Sequence, residues 1–229
     1  MKNNVLAGAL IALGLCLGGM FIYLGINKFS NKDRAVTVKG LSTREVESDY
    51  VVWPLSYGWK GQDLPWLYQK LEEVTDRVKK HLLDLGFEES DIRQGTISVS
   101  DNWSSYYGDN KPEYHYTLRT SLIVSTDKVQ LVVKSIGKES ALLKEGIIVE
   151  GGEWSVDYKY NGLSELKPQM IEEATRNARA VAQKFADDSQ SRLGGIRHAS
   201  QGQFSIEPDE YQPWVKHVRV VTTVDYFLE

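Results

Sequence analysis

Cysteine occurs once in the 229 residues, at Cys16. No disulfide can form within the remainder, and cysteine nucleophiles and thiolate metal ligands are excluded there. Histidine is scarce: His81, His115, His198 and His217 fall in no H-E-x-x-H or other ligand spacing, so no metal is expected. His115 and His217 alternate with apolar neighbours and are expected on a wet strand face. G-x-S-x-G, a P-loop and a strand-led G-x-G-x-x-G are all missing, so no cofactor and no catalytic residue is expected. Basic clusters interleaved with aromatics are lacking too. With the four basic residues and one acidic residue of 1–34 set aside, the rest carries a net charge of −7, which argues against nucleic acid as a partner. The acidic run Glu88-Glu89-Ser90-Asp91 reads as a solvated helix-to-strand turn and Asp187-Asp188 as a wet helix end. Past Arg34 no apolar run reaches membrane-spanning length.

One such run precedes it. Val5 to Ile26 is 22 residues without a charge, amide, serine or threonine. As a helix it would extend about 33 Å, against a hydrocarbon core of about 30 Å. A secretory apolar region is shorter and ends in a small-x-small cleavage site. Gly14-Leu15-Cys16 and Cys16-Leu17-Gly18 are poor sites, and cutting there would leave a greasy terminus. Leu15 is too large for a lipoprotein site. A retained single-pass anchor in membrane lipid is therefore expected. Ala7, Gly14, Gly18 and Gly25 lie on one stripe where a second helix can approach, although small residues are common in membrane helices for other reasons. Lys2 lies on one side and Lys28, Lys32, Arg34, Lys39 and Arg44 on the other. That count places the following domain in the cytoplasm.

Residues 1–34 thus read as anchor and linker, and 35–229 as one α+β domain with internal repeats at about 44–126 and 147–229. The expected order is strand, long helix, strand, strand, twice. In the first copy Arg44–Trp59 is a strand, with Pro54 marking an edge or bulge. The helix Leu64–Leu85 carries Leu64, Leu67, Leu71, Val74, Val78 and Leu82 on one face, opened by Asp63 and Pro65 and closed by Gly86. Strands at Ile92–Ser100 and Tyr114–Ser125 complete it. In the second copy Trp154–Tyr160 is the opening strand. The helix Ser164–Asp188 has the stripe Leu166, Met170, Ala174, Ala178, Val181 and Phe185. Strands follow at Ile196–Ile206 and Val215–Leu228. A shorter helix, Asp127–Leu143, and a short strand, Ile147–Glu150, link the copies. Long helices packed on antiparallel sheet satisfy the apolar faces.

Two loops join the last strands of each copy. Asp101–Pro112 holds Trp103, Tyr106 and Tyr107; Glu207–Trp214 holds Tyr211 and Trp214. Rigid aromatics among small polar residues suit recognition of a glycan, a lipid or a partner protein, and equivalent placement in two copies would line one rim. The plainer reading has them covering strand ends of their own domain. Trp53, Trp59 and Trp66 flank the first strand–helix junction and are expected in core or interface.

"AVTVKGLSTREVESDYVVWPLSY" resembles the opening of the bacterial SIMPL domain family. "GLSELKPQMIEEATRNARAVAQKFADDSQSRLGGIRHASQGQFSIE" and "VRVVTTVDYF" resemble its C-terminal half. The resemblance covers about Ala35 to Glu229. It implies an exported, envelope-facing α+β domain that homo-oligomerises, with no assigned reaction and a suggested role in stress tolerance. It implies an inner-membrane protein with its C-terminal domain in the periplasm, against the charge count. It carries no catalytic motif, so a non-enzymatic assembly protein is the expectation.

Overall fold

The computed structural model describes residues 12–23, 34–104, 106 and 111–229. Residues 12–23 form a helix, α1, whose described side chains are all exposed. It continues the apolar run quoted above, of which positions 5–11 and 24–26 lie outside the described residues. No helix among the described residues is long and apolar enough to cross a membrane. The chain divides into two compact units. Unit I comprises residues 1–44, 164–206 and 217–229; unit II comprises 45–163 and 207–216. The fold class is α+β, with helices packed on two antiparallel sheets.

Unit II is built on β2 (Tyr50–Gly61), which pairs antiparallel with β5 (Tyr116–Thr126) over its full length, from Val51 opposite Thr126 to Gly61 opposite Tyr116. The far side of β5 takes β3 (Ile92–Gln94) and β4 (Ser98–Asp101). The far side of β2 takes β6 (Val149–Glu150) and β7 (Asp157–Lys159). Strict alternation puts Val51, Trp53, Leu55 and Tyr57 on one buried face. α2 (Leu64–Asp84) covers that face with Leu67, Leu71, Val74, Val78 and Leu82, all buried, each stabilising by about 1.5–3 kcal/mol. The Asp63 carboxylate accepts from the Trp66 N–H at 2.8 Å, and Pro65 stands in the first turn, as the sequence requires of a helix start. Gly86 ends it at φ +101°. One polar thread crosses the layer: the buried Tyr57 hydroxyl donates to Thr75 Oγ1 at 2.9 Å, and Thr75 donates to the Leu71 carbonyl at 2.8 Å.

Unit I pairs β1 (Ala35–Glu47) with β10 (Val215–Leu228), which pairs on its other side with β8 (Leu193–Gln201); β9 (Ser205–Pro208) also pairs β10. α5 (Leu163–Asp188) covers Val38, Val224 and Tyr226 with an every-fourth-residue stripe: Met170, Ala174, Ala178, Ala182 and Ala186. Alanine brings the helix close. At Gly40 of β1 a Cβ would lie 1.8 Å from the Ala174 carbonyl oxygen and 2.6 Å from the Ala178 nitrogen.

Several expectations need correction. Arg44–Trp59 is two strands, not one, because the chain turns at Ser48–Asp49 and β1 begins at Ala35. Pro54 marks neither an edge strand nor a bulge. It keeps regular register opposite Ile123, and its missing N–H falls between β6 and β7, where neither pairs. Ile92–Ser100 breaks into β3 and β4. Asp127–Leu143 breaks into α3 (Val129–Ser135) and α4 (Ser140–Leu143), separated by Gly137 at φ +88°. Of Trp154–Tyr160 only Asp157–Lys159 is strand, and it joins β2 in unit II. The strand beside β10 is β1, whose 13 residues match β10's 14. On α5 the stripe drifts by a residue towards the C-terminus, so Val181 and Phe185 are 41% and 55% exposed while Ala182 and Ala186 are buried. On α2, Leu64 is exposed.

Gly40→Ala is expected to lower unit I stability by about 3 kcal/mol or more, since backbone atoms rather than a flexible side chain would have to yield. A thermal unfolding midpoint equal to that of the unaltered protein would contradict the close approach.

Candidate functional site

The first aromatic loop starts where β4 ends. The Asp101 carboxylate accepts from the backbone N–H of Trp103 at 2.9 Å and of Ser104 at 3.0 Å, folding the chain into a side-chain-closed turn. Asn102 Nδ2 donates to the Tyr114 carbonyl at 3.1 Å and to Thr117 Oγ1 at 2.9 Å, tying the turn to the start of β5. The turn holds the Trp103 indole flat against His115, with ring centroids 4.0 Å apart at 13°. His115 in turn stacks on Tyr116 at 3.8 Å, and its Nε2 lies 3.2 Å from the Asp101 carboxylate. Lys111 Nζ sits 3.2 Å from the Trp103 ring centroid. Ring and ammonium are too close to share one face, so the indole is sandwiched between them. Its N–H donates to the Pro112 carbonyl at 3.0 Å. Trp103 thus has both faces and its donor in use. Tyr106 is half-buried, and Tyr107 lies outside the described residues.

The second loop belongs to unit II as well. Asp209 repeats the device of Asp101, its carboxylate accepting from the Tyr211 and Gln212 N–H groups at 2.9 and 3.0 Å. Tyr211 is 81% exposed. Trp214 packs into the unit II core, edge-on to Tyr158 with centroids 6.3 Å apart, and its carbonyl accepts from the Ser48 N–H at 2.8 Å. Burial, and then the nearby Glu153 charge, push the Tyr158 hydroxyl up to about 12.

The two loops do not line one rim. Tyr158, with Trp214 against it, stands opposite Val51 at one end of β2; Tyr116, next to His115, stands opposite Gly61 at the other. Ten residues of extended strand separate them by about 33 Å. The expectation of equivalent placement fails because the second loop contributes to the same unit as the first. Of the membrane-stripe residues, Gly14 and Gly18 have open space where a Cβ would go, and Ala7 and Gly25 lie outside the described residues.

Two grooves are lined by residues outside these loops. A groove of about 510 Å³ in unit I is lined by Thr175, Arg176, Arg179, Gly195, Ile196 and Tyr226. One of about 400 Å³ in unit II lies over Gly58, Lys60, Arg119, Ile148 and Glu150, with Arg119 and Glu150 3.9 Å apart. Among the described residues no three His, Cys, Asp or Glu converge as metal ligands. Lys216 is 9% exposed, and burial lowers its ammonium from the ordinary lysine value against the opposing pull of Asp157. His115 is no free surface histidine. The spacing Trp103…His115-Tyr116 across a turn was the available signal, but no sequence rule brings positions twelve apart face to face. Trp53 is buried, Trp59 half-buried and Trp66 half-exposed.

The chain matches the family model described as SIMPL, protein of unknown function (DUF541), over residues 36–223, and it belongs to that family. No curated protein matches it.

Replacing Trp214 by Ala is expected to cost about 2 kcal/mol, read as a lower unfolding midpoint, because the half-buried indole packs against the unit II core. The Asp101 carboxyl is held below its ordinary value of 3.8, chiefly by the Ser104 N–H, with Trp103 and His115 adding to it. A depressed carboxylate contributes stability that is present above its unfolded value and lost as pH falls through the folded one. Acidification through the folded value should therefore open the loop, measured as a loss of protection at the Trp103 and Ser104 amides once exchange rates are corrected for their intrinsic pH dependence. Asp101→Asn should leave both amides weakly protected before and after acidification.

Proposed function

We propose that this chain is a membrane-anchored, non-enzymatic SIMPL-family protein of the periplasm, whose folded part associates with further copies as a scaffold of the envelope, in a role connected with stress tolerance. One observation carries the reading. Helix α1 exposes Leu13, Leu15, Leu17, Met20, Phe21 and Ile22 with no charged neighbour on any face. Such a surface is costly in water and favourable in hydrocarbon. The described turns extend about 18 Å, and they lie within an uncharged run of 22 residues, Val5 to Ile26. Family membership supports the exported orientation over the lysine and arginine count. Assembly agrees with the exposed apolar groups on α5 and with the duplicated helix-on-sheet plan, which offers repeated surfaces.

The second reading, a binding module acting through loops 101–112 and 207–214, draws on Tyr211 as the one largely exposed aromatic among the described loop residues. Trp103 is covered on both faces and Trp214 packs half-buried against the unit II core.

The full-length chain should stay with membranes through alkaline carbonate washing, and deletion of residues 1–34 should release it. Extracted in gentle detergent, it should scatter light as a particle of several copies. Recovery of the unaltered chain in the wash, or as a uniform monomer, would contradict the proposal.

A further inference from the structure

The unit I sheet has an open edge at β1. β10 pairs one side of β1, and no strand among the described residues pairs the other. The Arg34 carbonyl accepts from the Leu228 N–H at 2.9 Å, so even-numbered residues turn their backbone groups towards β10. Ala35, Thr37, Lys39, Leu41 and Thr43 turn theirs to the open edge. Two of these carbonyls are occupied: Leu41 accepts from Asn177 Nδ2 at 2.8 Å, and Thr43 from Arg44 Nη1 at 3.3 Å. Among the described residues nothing does the same for Ala35, Thr37 and Lys39. The edge is closed over one half and open over the other.

α5 reaches out over this edge. Glu173, Asn177, Val181 and Phe185 follow one another at four-residue intervals and so lie in one row. The first two are bound to β1: Glu173 accepts from Ser42 Oγ at 2.7 Å and pairs with Arg44 at 2.8 Å, and Asn177 holds Leu41. The last two continue the row beside the open half, because Val38 packs against Ala178 and Ala182. They are the exposed Val181 and Phe185. Unit II shows the same plan completed: the corresponding edge of β2 is filled by β6 and β7.

We infer that a second copy of this chain completes unit I, its Ala35–Lys39 pairing antiparallel with the same residues here, beneath Val181 and Phe185. This rests on the assembly reading above and names its interface. The edge is self-complementary. With Thr37 opposite Thr37 of the second copy, Val36 faces Val38 and Ala35 faces Lys39, so β-branched residues meet and no like charges do. Docking of β8 instead would bring Arg197 to an edge that already carries Lys39 and Arg44. The ladder is short, and a shared membrane raises the effective concentration that a short ladder needs.

The test uses the full-length chain in gentle detergent with Cys16→Ala and Thr37→Cys. Opposed residues in a hydrogen-bonded antiparallel pair have Cα atoms about 5.5 Å apart, within disulfide reach. Mild oxidation should give a disulfide-linked dimer. Adding Phe185→Asp should abolish it without moving the melting temperature, since Phe185 is already more than half exposed. A multimeric particle that forms no Thr37→Cys dimer overturns this interface and leaves the assembly reading standing. A cross-link that requires His198→Cys as a partner assigns the edge to β8 and overturns it too. An unaltered chain that is monomeric defeats both.

Discussion

Unit I depends on one contact, the backbone of α5 seated on the backbone of β1 with no side chain between them. Gly40 and the alanines at 174 and 178 make this possible, since any larger residue would occupy the space of a main-chain atom. The close seat fixes which rows of the helix face where. With the alanine row held against the sheet, the neighbouring row has to run along the strand's outer edge. Its polar members find backbone and side-chain partners there, and its apolar members extend past the edge. A helix standing off on leucines would tolerate rotation; one seated on alanines does not.

Unit II is organised in the opposite manner. Its helix stands on large residues, its central strands are paired on both sides, and its aromatic loop is closed on itself. Asp101, Trp103, Lys111 and His115 satisfy one another, which makes the loop a structural cap on the strand end. The same economy appears around Asp49, whose carboxylate accepts from the N–H groups of Asn161 and Gly162 at 2.9 Å.

The sequence displayed the long helices most legibly. The row Leu67, Leu71, Val74, Val78, Leu82 and the cap at Asp63 stand as spacing and chemistry require, because helix periodicity and capping are local. The strand ends were less legible. Pro54 read as the mark of an edge or a bulge, yet a proline is harmless where no neighbour asks for its N–H, and that depends on β6 and β7, nearly a hundred residues away. Trp154–Tyr160 has strand-forming residues, but which sheet a short strand joins is decided by the free edge it finds. On α5, alanine and valine look alike to a periodicity argument, and only the depth of packing at Gly40 separates them. The candidate loops were found as loops; their placement at opposite ends of β2 is a matter of topology that no local pattern carries.

The half-closed edge of β1 has a consequence for counting. Asn177 and Arg44 stop the ladder after Lys39, so a strand arriving there can neither slide along nor leave room for a third. Joining by like surfaces about a two-fold axis uses up both participants at once and cannot propagate into a fibre. With such a seam, any larger ring or collar grows by other surfaces, from pairs as its bricks, and contains an even number of chains.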